Sequence, residues 1–454
     1  MSETVKERRE VPEGYSEVQL GPKSDIIPED WGIESLSNWL SSLETGGRPK
    51  TSERSESDSV LSIGGAHISD GSFNLEEPVY ISNDYYEGLN SGKISRGDIL
   101  LVKDGATIGK STYVNSVPEG NAAVNSHVYI LRVEPQKYDS QFLYNFINSR
   151  IGLDQILRLT TGSAQAGLNR TFQQAVKVPT PQLPEQRRIA DILSTVNEQI
   201  QQTDEIIGKT KELKRGLIQD LFEKGISSSE FTEVHVGPRE YRLPKNWTIK
   251  QISDAIDENI ITGHQDGNHG NQYPRKDEFV DEGVPYLSAN MLTGGRVDFS
   301  EAKFLTPERV SQLRIGFAED GDVLLAHNAT VGRCAILETD ADTTIIGTSL
   351  TYFRCNNDEL HNKYLMAYFQ SELFQNQLED VMGQSTRNQV PITRQRNLDL
   401  VLPPVDEQRR IADILSLVDE KLQEEKSTRD DLQELKRGLM QDLLTGKVRV
   451  NTND

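Results

Sequence analysis

With 454 residues the chain has room for two to four domains and for sizeable cores. Its formal net charge of -21, from 49 Lys+Arg against 70 Asp+Glu, excludes a uniformly basic nucleic-acid binder. A nucleic-acid partner then requires basic residues gathered on one face, or an acidity that serves to keep the chain soluble in salt.

The opening MSETVKERRE is charged and no apolar run approaches a membrane span, so a soluble, cytoplasmic protein is expected. Residues 1–14 read as a tail, and the first lobe as 15–184. Tyr15 to Trp31, YSEVQLGPKSDIIPEDW, opens it; strand-like or short helical text (IESLSNWLSSL) and a polar stretch with Arg48 and Lys50 follow. Then come β-branched runs punctuated by Gly, Asn and Asp: ILLVKDG, STYVNS and HVYILRV. A short amphipathic helix is expected around FLYNFINS (142–149), followed by a Gly/Ser/Gln-rich loop, Thr161 to Arg170.

Residues 185–224 read as one long helix. Ile189, Leu193, Val196, Ile200, Leu217 and Leu221 fall at heptad-like spacing, with Pro184 before the start and Glu185 in the first turn. A helix of 38 residues spans roughly 57 Å. The second lobe, 225–404, restarts the text: Phe231 to Trp247, FTEVHVGPREYRLPKNW, repeats the skeleton of Tyr15 to Trp31. GDVLL (321–325) repeats GDILL (97–101), and TVGR (330–333) repeats TIGK (107–110). A second long helix, 405–446, repeats the first, with Ile411, Leu415, Val418, Leu422, Leu439 and Leu443 on its stripe and Asp406 as a cap candidate. Residues 447–454 are a closing tail. Aligned without a gap, about 22 of 38 helix positions are identical, gathered at the ends EQRRIADILS and ELKRGL. A helix apolar on one narrow stripe needs a partner, and the other copy supplies it. The fold class is α+β with internal pseudo-symmetry, in the order lobe, helix, lobe, helix.

Several apparent catalytic signals dissolve on inspection. GATIGKS (105–111) has three residues between its glycines where a phosphate-cradling loop needs four, so a tight turn between strands is expected. Glu212-Leu213-Lys214 and Glu434-Leu435-Lys436 resemble a nuclease E-x-K without its upstream acid and read as exposed helix faces. Cys334 and Cys355, twenty-one residues apart, fit a reducing compartment and neither a disulfide framework nor a zinc site. The seven histidines show no ligand spacing; His264 and His269 read as solvated, and no metal site is expected.

This alternation of a variable lobe with an E-Q-R-x-I-A-D-I-L helix, with G-D-I-L-L and T-I-G-K inside the lobe, resembles the specificity (S) subunit of type I restriction–modification systems over about residues 15 to 448. The resemblance implies two target-recognition domains, each reading one half of a split, asymmetric DNA site, and two long helices packed as an antiparallel coiled coil that sets the spacing. It further implies docking of two methyltransferase subunits and a nuclease-translocase subunit. The chain itself would be non-catalytic and bind no cofactor, S-adenosylmethionine, ATP and Mg being used by its partners.

Phosphate contacts call for Lys, Arg or small hydroxyls, and base reading for Arg, Lys, Asn and Gln on loops. The candidates for DNA contact in the first lobe are Lys103, Thr107, Lys110, Ser163, Gln165, Asn169 and Arg170. In the second they are His327, Asn328, Thr330, Arg333, Ser385, Arg387, Asn388 and Arg394, with Arg48–Lys50 and Arg275–Lys276 as alternative edges. Gln186, Arg187 and Arg188, with Gln408, Arg409 and Arg410, are expected to meet Asp220 and Asp442 on the opposite helix end. The competing reading is a coiled-coil scaffold whose lobes bind protein and not DNA.

Overall fold

The computed structural model describes residues 11–21, 23–54, 59–69, 71–161, 167–226, 228–383 and 388–452. Two compact units emerge: Met1–Asp204 with Ser427–Asp454, and Glu205–Lys426. The long helices, Leu183–Lys224 and Val405–Leu443, each contribute one half to either unit.

In the first unit the hairpin Tyr15–Leu20/Lys23–Pro28 is antiparallel, and Gly32–Ser35 pairs with Lys177–Thr180, so the two ends of the lobe are zipped together. Between them lies a four-stranded antiparallel sheet in the order Ser111–Tyr113, Ile99–Val102, Val128–Val133, Leu40–Thr45. The strand Ile99–Val102 is buried on both faces, as its unbroken apolar run requires. Trp39, fully buried, stacks on Tyr138 at 4.3 Å and Phe142 at 5.8 Å. The helix Ser140–Asn148 begins where the Asp139 carboxylate accepts from Phe142 N at 2.9 Å, and Ser149 caps the next helix, Arg150–Arg158, by accepting from Gly152 N at 3.1 Å.

The second unit repeats the plan. Phe231–Val236 pairs with Arg239–Pro244, and Thr248–Gln251 pairs with Asp399–Leu402. Its main sheet has six strands, in the order Ile261–Asp266, Leu350–Cys355, Val323–Ala326, Cys334–Ile336, Gly295–Val297, Leu292–Thr293. Phe353, Phe369 and Phe374 form its aromatic centre, with centroids 4.9 and 4.3 Å apart.

Each unit answers separately how the helices pair. In the first, Ile189, Ala190 and Leu193 from the start of one helix share a core with Leu443 and Leu444 at the end of the other. In the second, Leu217, Ile218, Leu221 and Phe222 share a core with Ile411, Ala412 and Leu415. Start against end in both places means the helices run antiparallel. Of the remaining stripe residues, Val196 and Leu422 are buried, and Ile200, Val418 and Leu439 are half-buried. Phe222 reaches past the seam to pack on Tyr364 (5.4 Å) and Tyr368 (5.9 Å), so the helix ends are part of the lobe cores and the apolar face is broader there than one stripe.

Two sequence expectations about the helices change. Gln186 and Gln408 do not face the opposite helix: the Gln186 side chain accepts from Asp139 N at 2.8 Å and donates to Pro181 O at 2.8 Å, and Gln408 accepts from His361 N at 3.0 Å. Both are buried amides that satisfy lobe backbone, while Arg187, Arg188, Arg409 and Arg410 are exposed. Asp220 and Asp442 are neutralised locally, by Lys224 at 2.5 Å and Lys447 at 3.2 Å. Lys214 is no exposed-face residue either, for it forms an ion pair with Asp419 of the other helix at 2.7 Å.

Candidate nucleic-acid interface

The repeated phrases meet in space. Trp31 Nε1 donates to Glu185 Oε2 at 3.1 Å, and Trp247 Nε1 donates to Glu407 Oε2 at 3.2 Å. Thus P-x-x-W and the helix-opening E-Q-R are one joint, made twice, that fixes each lobe to its helix. In the first unit the joint is reinforced by Arg449, which donates to Glu185 (2.7 Å) and to both oxygens of Asp30 (2.9 Å each).

The G-D of GDILL is structural. Asp98 is 3% exposed and Asp322 1% exposed. Asp98 accepts from Ser95 N and Arg132, and Asp322 accepts from Glu319 N and Arg354. Burial raises the Asp98 carboxyl above the usual carboxylate range, with the Arg132 hydrogen bond opposing it. These pairs lock the strand that carries the candidate loop to its sheet.

That loop is a tight turn, as the glycine spacing predicts. Val102 N donates to Lys110 O at 2.9 Å and Gly109 N to Val102 O at 3.0 Å; Ala326 N donates to Arg333 O at 2.7 Å and Gly332 N to Ala326 O at 2.9 Å. Gly109 and Gly332 lie at φ +89° and +90°, and a Cβ at Gly332 would stand 2.4 Å from Gln375 Oε1. The second candidate segment crosses the base of each turn: Leu168 N donates to Lys103 O at 2.7 Å, and Val390 N to His327 O at 2.8 Å. Residues more than sixty positions apart are thereby brought into one loop cluster in each unit.

Within the clusters Lys110, Asn169, Asn328, Arg333, Asn388 and Arg394 are exposed. Lys103 is half-buried with its ammonium 5.2 Å from the Tyr129 ring centroid. The half-buried Thr107 hydroxyl donates to Gly65 O at 3.3 Å, whereas the Thr330 hydroxyl has no partner among the described residues. Arg170 is engaged with the Leu43 carbonyl. Ser163, Gln165, Ser385 and Arg387 lie outside the described residues. His327 differs from its neighbours in being buried, at 6% exposed. The alternative edges Arg48, Lys50, Arg275 and Lys276 are exposed.

His264 is also interior, not solvated. Its ring lies 3.3 Å from Gln395 Oε1, and Gln395 in turn donates to Val390 O at 3.0 Å and to the Thr351 hydroxyl at 2.9 Å. Burial pushes the His264 pKa down to about 4 and lowers that of His327. His269 is exposed, with Asp266 at 2.8 Å. Among the described residues no group of histidines, cysteines and carboxylates could hold a metal, and no helix is long and apolar enough to cross a membrane. The sequence reading missed Asp98–Arg132, Asp322–Arg354 and Lys214–Asp419; only the recurrence of Asp and Arg at matching places in both lobes hinted at the first two.

Duplicated lobes with a turn and a crossing segment each, joined to antiparallel helices, define the class of DNA specificity modules. The chain belongs to the family of type I restriction modification DNA specificity domains, whose model matches residues 28–212 and again 244–434. It is 24% and 22% identical to two sequences of Methanocaldococcus jannaschii named as type I restriction enzyme specificity subunits, MjaX and MjaVIII. Those matches cover 97% and 93% of this chain and 98% and 94% of theirs. It is 23% identical to the EcoKI specificity subunit of Escherichia coli, over 85% of this chain and 81% of that one. The fold is also that of a type I S subunit from M. genitalium, with a TM-score of 0.58 at 15% identity over 94% of this chain and 98% of that one.

Proposed function

We propose that this chain is the sequence-reading subunit of a type I restriction–modification enzyme, each lobe reading one half of a bipartite, interrupted, asymmetric DNA site. The observation that carries the reading is the loop cluster made twice, with the same backbone joints and different side chains: Lys103, Lys110 and Asn169 in one, Asn328, Arg333 and Asn388 in the other. Equal geometry with unequal donors reads unequal half-sites. The antiparallel helices set the spacing and dock two methyltransferase subunits, and a nuclease-translocase subunit joins for cleavage. The chain performs no catalysis and binds no cofactor; S-adenosylmethionine, ATP and Mg serve its partners, in the cytoplasm.

Assembly with its methyltransferase followed by genome-wide mapping of modified adenines tests this. A split motif with unlike halves supports it; a continuous motif, or no modification, contradicts it. The scaffold alternative draws on the net charge of -21. It predicts no specific binding of the assembled complex to DNA at any ionic strength.

A further inference from the structure

The second unit holds a cavity of about 380 Å³ between its two helix segments, the hairpin at Thr293–Arg296 and the junction at Gln370–Glu372. Five cationic side chains line it, Lys211, Lys214, Arg215, Arg296 and Lys426, against two carboxylates, Glu372 and Asp419. Lys214 and Asp419 neutralise each other at 2.7 Å. No carboxylate pairs with the other four cations among the described residues, although the chain carries 70 acidic side chains. Four unpaired cations converging on one cavity repel each other, and an anion offsets that cost.

The repeat says what the anion is not. A cavity of about 1130 Å³ in the first unit is lined by Arg437, Met440, Gln441, Asn148 and Arg150, which occupy the repeat positions of Arg215, Ile218, Gln219, Gln370 and Glu372. A partner bound twice uses what the copies share. The counterparts of Lys211 and Lys426 are instead Gln433 and Asp204, the latter 3.9 Å from Arg429. The Lys211 and Lys426 charges are thus present on one side only, whereas Arg215 and Arg437 are shared, so the cationic cluster is not what a partner docked identically on both copies would use.

We propose that this cavity binds phosphate, the source being the DNA backbone between the half-sites; the choice of source rests on the specificity-subunit reading. The three cations on the helices are replaced in the full chain as K211Q/R215Q/K426Q and the variant assembled with its methyltransferase. Binding to a duplex carrying the mapped motif is followed against salt. Each lost phosphate contact flattens the slope of log K on log salt by about 0.9, so the fall in affinity between roughly 50 and 200 mM is about 40-fold smaller than for wild type. The modified motif stays the same. R296Q alone removes one contact, and K421Q, whose lysine is already paired with Glu424 and Glu425, leaves the slope unchanged as a control.

Titration of the unassembled chain with pyrophosphate separates the sources. Pyrophosphate binding that the triple variant abolishes, with an unaltered DNA slope, keeps the phosphate site and makes the source a free anion. No change in either overturns the proposal, as does an effect confined to methyltransferase association, which marks an acidic protein segment as the occupant. If wild-type complex binds no DNA specifically, the specificity-subunit reading fails instead, and the pyrophosphate arm still decides the site.

Discussion

Acidification should weaken the second unit through one side chain, His264. The ring is buried, its neighbours Arg396 and His327 also disfavour a positive charge, and the Gln395 hydrogen bond and Asp266 only partly compensate, so its pKa falls from 6.5 to about 4. The sign follows from linkage: the unfolded chain protonates this histidine below about 6.5 while the folded chain keeps it neutral, so stability is full above that pH and is lost as pH falls toward the folded value. A shift of roughly 2.5 units corresponds to about 3 kcal/mol when the transition is complete, and to about 2 kcal/mol near pH 5. His327, shifted the same way, adds to it. Because Gln395 links His264 to Val390 O at the base of the second turn, that loop should loosen first. Urea unfolding of wild type and His264→Gln at about pH 8 and about pH 5, with hydrogen exchange reporting on Val323–Ala326, measures both effects. The variant should lose about 2 kcal/mol less than wild type over that interval. Equal pH dependence of the two proteins would refute the reasoning.

Three further outcomes follow from the packing and the clusters. Phe222→Ala empties a site between Tyr364 and Tyr368 and should cost about 4 kcal/mol in chemical denaturation, against under about 1 kcal/mol for truncation of the exposed Leu213. Lys110→Ala and Arg333→Ala should each weaken DNA binding by the assembled complex; a phosphate contact flattens the salt slope by about 0.9, whereas a base contact relaxes the motif in one half-site only. Ala329 sits at φ +62°, so Ala329→Gly should stabilise the second unit by about 1 kcal/mol in thermal unfolding.

What the sequence made legible was whatever is local or repeated. Heptad spacing placed the long helices to within a few residues of Leu183–Lys224 and Val405–Leu443, because periodicity is a property of neighbours. The Gly-punctuated turns followed for the same reason, and duplication marked the Trp31–Glu185 joint without saying that the two ends touch. What stayed hidden depends on distant partners. Nothing near Lys214 announces Asp419, 205 residues on, and nothing beside Asp98 announces Arg132. His264 looked solvated because Gly, Asn and Asp surround it in the chain, yet it lies on a strand whose inner face is covered by Phe353 at 4.6 Å. Gln186 and Arg187 illustrate the limit of reading a repeat: the phrase recurs because a buried amide holds lobe backbone twice, not because charges meet across the helices.

The central claim is that each lobe reads its own half of a split site. It is tested most directly by replacing the second lobe, residues 231–402, with residues 15–180 and mapping adenine modification by the assembled complex. Two identical half-sites in inverted orientation, with the gap retained, are predicted. An unaltered asymmetric motif would contradict the account.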